Sequence, residues 1–142
     1  MKGPLPEAVK EFLVAAPVCR LATVKAGGTP HIIPVCPAFD GDRTVYVDLA
    51  PNGVSARALE SNSRTTAIFD EYYDDWSKLK AVILRCRAEV LTGAELERAW
   101  ELFRAKFPQG QAIGWTARHS FALRISDWTE WGLLHPLGYQ AG

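Results

Sequence analysis

Four groups of side chains in this sequence have types and spacings that could do chemistry: cysteines, histidines, a run of carboxylates, and cations near a turn that opens a helix. Cys19, Cys36 and Cys86 lie far apart, with no C-x-x-C pair and no histidine pair beside them, so metal binding has no support. Each falls in a segment with strand character, and all three are expected as core or near-core thiols. His31, His119 and His135 are accompanied by no G-x-S-x-G turn, which leaves a hydrolase without a signature. His31, beside Pro30 in a strand, is expected to be structural. Asp70, Glu71, Asp74 and Asp75 crowd one stretch, yet they lack the glycine and distal glutamate of a calcium loop; a solvated loop is expected. The fourth group joins Arg20 and Lys25 to the turn Pro51-Asn52-Gly53-Val54-Ser55. Backbone N–H groups at a helix start attract phosphate, and Ser55 and Arg57 would add donors. The competing reading is of surface charges beside an ordinary turn, and the residues alone leave both open.

The elements that must position these groups are legible from periodicity. Residues 5–16 predict a helix, with Pro6 in its first turn and Val9, Phe12, Leu13 and Ala16 along one stripe. Strands are predicted over 18–25, 30–38, 44–49, 64–70, 79–91 and 120–126, with 128–134 continuing the sheet. Gly27-Gly28 marks a hairpin turn, and Pro34 and Pro37 place the second strand at an edge or a bulge. A short helix is predicted over 54–61. A longer one follows over 93–107, opened by Thr92 and Glu95 at capping-box spacing and buried through Leu96, Ala99, Trp100, Phe103 and Phe107. Hairpin-length succession of strands argues for a mainly β (α+β), antiparallel barrel or sheet with helices outside, rather than a doubly wound parallel fold.

Length and composition set the bounds. The 142 residues suit a single domain over 1–142, with helix 5–16, barrel 18–91 and 119–134, and helix 93–107. Hydrophobic residues at 48% and charged residues at 23% argue against disorder. Sixteen basic residues balance sixteen acidic ones, which argues against a nucleic-acid partner, and no apolar run is long enough for a membrane helix. Pro4, Pro6, Glu7 and Glu11 make the N-terminal stretch unlike a secretory signal, and an odd number of scattered cysteines suits a reduced cytoplasmic compartment. Trp76, Trp115, Trp128 and Trp131 fall in or near predicted loops and late strands. There they could pack a core, line an interface or stack on a planar ligand.

The segment Arg20-Leu-Ala-Thr-Val, the Gly-Gly-Thr-Pro-His turn, Ile-Ile-Pro-Val and Phe-Asp-Gly-Asp together resemble the opening of the pyridoxamine 5'-phosphate oxidase-like proteins, an FMN-binding split-barrel family. The stretch from Phe69 through Asp-Asp-Trp76 to Leu79, Ala105-Lys-Phe-Pro-Gln109, and Trp128-Thr-Glu-Trp131-Gly resemble a branch of probable deazaflavin-dependent enzymes. The likeness runs from about Val18 to Gly132. It implies a six-stranded antiparallel split β-barrel with flanking helices. It also implies a homodimer with cofactor sites at the subunit interface, and FMN or the deazaflavin coenzyme F420 as cofactor. The phosphate would be held by Arg20, Leu21, Ala22, Thr23 and Lys25 of the first strand. Asp48 and the turn and helix at Asn52, Gly53, Val54, Ser55 and Arg57 would join them. The ring would lie along Pro34, Val35, Cys36 and Pro37, and Trp76 of the second subunit would wall the pocket. His31 and Tyr73 are the candidate proton donors.

One departure stands out. The branch carries a Lys-Pro-Lys-type cluster after the third strand, where this chain reads Ala50-Pro51-Asn52-Gly53-Val54-Ser55. Arg57, Arg64 and the helix start are the substitutes available for a phosphate. The expected function is a flavin- or deazaflavin-dependent oxidoreductase that transfers a hydride between bound cofactor and a small organic substrate. The alternative is a non-catalytic FMN- or haem-binding protein, or a cofactor-free one, on the same fold.

Overall fold

The computed structural model describes residues 1–137. Helix α1 (Glu7–Ala15) begins directly after Pro6 and buries Val9 and Leu13. Strands β1 (Cys19–Val24) and β2 (Pro30–Val35) form an antiparallel hairpin in which Cys19 faces Val35 and Val24 faces Pro30. Strands β3 (Ala38–Phe39) and β4 (Thr44–Leu49) follow, then helix α2 (Val54–Ser61) and strand β5 (Arg64–Glu71). A single 3-10 turn at Trp76–Lys78 leads into β6 (Lys80–Val90). Helices α3 (Gly93–Lys106) and α4 (Gln109–Ala112) and the long strand β7 (His119–Trp131) complete the order.

All seven strands belong to one sheet in the order β2-β1-β5-β6-β7-β4-β3, antiparallel at every pairing. Leu21, Phe69, Leu84, Val47 and Leu123, one from each of five strands, meet in a single buried cluster, so the sheet curls about its core. Val9 and Leu13 of α1 and Ala56 and Leu59 of α2 fill the inside of the curl. The result is the expected antiparallel half-barrel with flanking helices, with seven strands in place of six. The difference lies at Pro37. Residues 30–38 were expected as one strand, but proline has no N–H for a ladder. The pairing therefore stops at Val35, and the chain crosses to the opposite edge, where Ala38 and Phe39 pair with β4.

Strand β7 runs unbroken through Ser126, because a bulge absorbs that residue: Arg85 faces Asp127 and Cys86 faces Ile125. On the outside, α3 lays Trp100, Phe103 and Phe107 over Ala38, Tyr46 and Ala122. The Thr92–Glu95 capping box does not form, and Thr92 makes no side-chain cap. A stronger partner takes Glu95. Arg124 grips it with two parallel bonds of 2.7 and 2.8 Å, and the Tyr46 hydroxyl donates a third at 2.9 Å. Those donors hold the Glu95 carboxyl down to about 2, while burial and the facing Glu95 push the Tyr46 phenol up to about 12. Short α4 after Pro108 was not anticipated.

Candidate functional site

The curl leaves the two edges of the sheet facing each other across a cleft of about 520 Å³, within the usual range for a small-molecule site. Ile33, Pro34, Val35 and Cys36 form one side, at the end of β2. Asp48, Leu49 and Ala50 form the other, at the end of β4. Val18, Trp115 and Arg118 complete the lining. Because β2 ends at Val35, two residues before Pro37, and β4 ends at Leu49, two residues before Pro51, both walls are strand termini.

Asp48 organises the polar rim. Its side chain is fully buried while Arg118 remains 48% exposed. Oδ1 accepts the Arg118 N–H at 3.0 Å, the His119 N–H at 3.1 Å and the Ser120 hydroxyl at 2.9 Å. Oδ2 accepts Arg118 Nε at 3.0 Å. One carboxylate thus staples the start of β7 to β4 and fixes the Arg118 guanidinium. Its two terminal nitrogens have no protein partner among the described residues. A buried carboxylate is stable only with such a full set of donors.

Helix α3 braces the same rim at three points. Trp100 Nε1 donates to Ser120 Oγ at 3.0 Å, extending the Asp48 network into the helix. Lys106 Nζ donates to the Pro37 carbonyl at 2.9 Å and so ties the helix end to the break between β2 and β3. Burial pushes that ammonium below its ordinary value. Trp115 packs edge-on against Trp100 and Phe103, with centroids 5.0 and 5.3 Å apart, and presents its remaining surface to the cleft. Gly110 makes room for it. A Cβ there would lie 2.7 Å from Trp115 Cε3.

Of the residues expected from sequence, the structure brings Pro34, Val35, Cys36 and Asp48 into this cleft. Cys36 is exposed rather than core, unlike the buried Cys19 and Cys86, whose thiols burial pushes up to about 12. Pro37 is buried just behind it. Asn52, Gly53, Val54, Ser55 and Arg57 follow directly from the β4 wall. Asn52 sits in the left-handed region at φ 60°, and α2 starts at Val54 with no side-chain cap from Gly53. The Ser55 hydroxyl is buried and has no partner among the described residues. A Cβ on Gly53 would lie 3.1 Å from the Ala50 carbonyl oxygen, so this tight turn suits glycine.

The first strand is placed differently. Leu21 faces the core, and Arg20 faces the other side of the sheet, where its Nη1 meets Asp70 at 2.8 Å. Ala22 and Thr23 lie at the far end of β1, and Lys25 is exposed in the hairpin turn. Trp76 is 71% exposed and lines a shallow groove together with Leu133 and Leu134 of its own chain. His31 and Tyr73 are outside the cleft lining; the Tyr73 hydroxyl donates to Glu71, which raises its phenol. In the acidic stretch, Asp75 caps the 3-10 turn through Ser77, and no metal-binding cluster occurs among the described residues. Sequence reasoning missed Arg118, and it named Trp115 only among four tryptophans that could pack a core, line an interface or stack on a planar ligand. For Arg118, a lone carboxylate in the predicted strand 44–49, which the structure buries throughout, was the available signal, since such a carboxylate must find donors.

The sequence model described as pyridoxamine 5'-phosphate oxidase matches residues 5–132, so the chain belongs to that family. A search of curated proteins finds no match. Solved structures add the fold. A FAD-binding protein from Mesorhizobium loti superposes with a TM-score of 0.70 at 22% identity, covering 92% of this chain and 96% of its own. A haem-binding protein from Mycobacterium smegmatis gives 0.75 at 20% identity, covering 95% of this chain and 57% of its own. The haem storage protein of Vibrio cholerae gives 0.69 at 18% identity, covering 98% and 100%. The chain spans about 59% of the length of a similar Agrobacterium tumefaciens protein of unknown function. None of the described helices is long and apolar enough to cross a membrane.

Proposed function

We propose that the cleft binds a flavin-type cofactor, FMN or coenzyme F420, and that the protein is an oxidoreductase acting on a small organic substrate. The observation that carries this reading is the pairing of an apolar wall with one fixed cation. Ile33, Pro34, Val35 and Trp115 offer flat apolar surface, and the Asp48-held Arg118 guanidinium stands on the same rim. An aromatic ring system is recognised by the first and negative charge by the second. At the start of α2, the uncapped N–H groups and the orphaned Ser55 hydroxyl suit a phosphate, in place of the lysines that the chain lacks. A bound flavin or deazaflavin supplies hydride acceptance and donation. The chain's own residues bind and orient it: Pro34 to Cys36 along the ring, Arg118 at its negative charge, and Trp115 against water.

The active form in this reading is a homodimer. The outer face of β2-β1-β5-β6 carries Ile32, Ile68 and Ile83, none of which joins either buried cluster. Ile32 is 61% exposed, and a second copy would cover this face. Trp76 is then available to wall the cleft of that copy. Three free thiols accord with a cytoplasmic location.

Titration with FMN and with coenzyme F420, followed by fluorescence, tests the proposal. Saturable binding is expected, weakened about tenfold or more in Arg118→Gln. Wild-type protein that binds neither cofactor refutes it. Haem is the second reading, favoured by the exposed Cys36 thiol in a cleft lined by no histidine. A haem-loaded protein would then show a thiolate spectrum that Cys36→Ser abolishes.

A further inference from the structure

We propose that Lys106 is a positioning residue for the cleft, whose ammonium sets the spacing of the two walls by gripping the Pro37 carbonyl. The proposal rests on the cofactor reading of the cleft and adds the residue that holds it to width. Lys106 does not line the cleft, so it acts through the backbone of Cys36 and Pro37.

The geometry of the link carries the first part of the argument. Only Cys36 and Pro37 separate β2 from β3. They belong to no ladder, since pairing with β1 ends at Val35 and pairing with β4 begins at Ala38. Strands β2 and β3 are the opposite edges of one sheet, so these two residues bridge the mouth of the curl. They join the wall that ends in Cys36 to the side of the sheet that carries Asp48 and Leu49. Pro37 has no N–H, which leaves its carbonyl as the backbone group that can anchor it. Lys106 Nζ supplies the donor at 2.9 Å, from the last turn of α3. That helix is itself seated, with Phe103 and Phe107 packed in one cluster with Ala38 and Tyr46. The clip thus extends the rigidity of α3 to a link that no strand pairing holds.

The second observation is that the charge is held at a cost. Among the described residues the Lys106 ammonium meets no carboxylate; its contacts are the Pro37 carbonyl and the Phe107 ring, 5.2 Å away at the centroid. Burial pushes it below its ordinary value, so the folded state disfavours the charged form. A methionine would fill the same space with no charge to desolvate. Local rules are broken in this way chiefly at functional sites, and what this ammonium holds is the link between the cleft walls.

Lys106→Met, studied in the full chain, removes the clip and keeps the bulk. Native-state amide exchange reads the link with no cofactor present. The amides of Cys36, Ala38 and Phe39 should exchange about tenfold faster than in wild type, while those of β5 and β6 keep their rates. Tm should stay within about 3 °C, because relief of the ammonium offsets the orphaned carbonyl. FMN should bind about tenfold or more weakly to the same variant. Lys106→Arg keeps a charged donor at this place and should restore both readouts. Unchanged exchange at the link overturns the clip. A larger fall in Tm, with exchange raised across the whole sheet, makes Lys106 a general brace and overturns the positioning role. Unchanged FMN affinity alongside faster exchange overturns it as well. Faster exchange at the link, in a protein whose wild type binds neither FMN nor coenzyme F420, supports the clip and refutes the cofactor reading instead.

Discussion

Asp48 separates two jobs that one carboxylate performs. Its Oδ1 holds the backbone at Arg118 and His119 and the hydroxyl of Ser120, and its Oδ2 holds the Arg118 guanidinium. In Asp48→Ala all four bonds go. The Arg118 groups can return to water, since that side chain is 48% exposed. The Ser120 hydroxyl and the His119 N–H are more enclosed, and each orphaned donor costs about 1–3 kcal/mol. A loss of about 3 kcal/mol follows, or roughly 10 °C in Tm for a chain of this length. Asp48→Asn behaves differently. Its carbonyl oxygen can keep the three Oδ1 bonds, but its NH2 group replaces Oδ2 and faces another donor in Arg118 Nε. The backbone staple survives and the guanidinium is released.

Thermal unfolding and cofactor titration on the same two variants therefore give different orderings. Asp48→Ala should lose about 3 kcal/mol, and Asp48→Asn about 1 kcal/mol. Asp48→Asn should nevertheless weaken cofactor binding nearly as much as Arg118→Gln does. An Asp48→Ala protein within about 1 kcal/mol of wild type would show that the network carries no net stability, and would refute the argument from buried donors. An Asp48→Asn protein with unchanged cofactor affinity would remove Arg118 positioning from the site.

Two further outcomes follow from the packing around α3. The Glu95 carboxyl, held near 2 in the folded protein against an ordinary 4.5, contributes stability that is fully present above about pH 4.5 and is lost as pH falls through 2. With the Glu95 side chain 27% exposed, screening reduces the contribution to about 1–2 kcal/mol. Urea unfolding across that range should show the gap between wild type and Glu95→Gln closing as pH drops; a constant gap would contradict the Arg124 pairing. Gly110→Ala would place a methyl 2.7 Å from a rigid indole carbon and force Trp115 out of its seat. It should cost about 1–3 kcal/mol and change the near-ultraviolet circular dichroism. An unaltered spectrum would mean that the ring is not wedged there.

How much of this was legible in the sequence depends on the range of the forces involved. Strands with strict alternation, such as Val82, Leu84, Cys86 and Ala88 against Ile83, Arg85 and Arg87, declare their faces locally, and β6 follows that pattern. Pro34 and Pro37 announced an edge, and β2 is an edge. They did not announce that the next two residues would pair at the opposite end of the sheet, because that depends on closing a curl built from distant strands. The capping box failed for a related reason: Glu95 had a local partner in Thr92 and a better one in Arg124, twenty-nine residues away. Arg118 was invisible because nothing near it in sequence needs a cation. Its partner is Asp48, and only the β4–β7 register, with Asp48 opposite Ser120, brings the two together.

That register bears on the missing lysines. In the family branch that the sequence resembles, positive charge sits at the start of the helix after the third strand. Here that turn carries Asn52 to Ser55, and the cation on the cleft is Arg118, delivered from β7 and fixed by a carboxylate on β4. The two solutions differ physically. A lysine on a turn is a mobile, strongly hydrated point charge, which loses side-chain entropy when it closes on a ligand. The Arg118 guanidinium is already immobilised at Nε by a fully buried partner, which α3 reinforces through Trp100 and Ser120. Less ordering cost therefore remains to be met on binding, and the two free nitrogens form a planar fork suited to paired oxygens rather than to a single one. The same rigidity narrows what the cleft accepts, since the guanidinium cannot follow a ligand that sits too far toward the α2 turn. Affinity for FMN and for coenzyme F420 should therefore diverge more in wild type than in Asp48→Asn, whose released guanidinium can reach either.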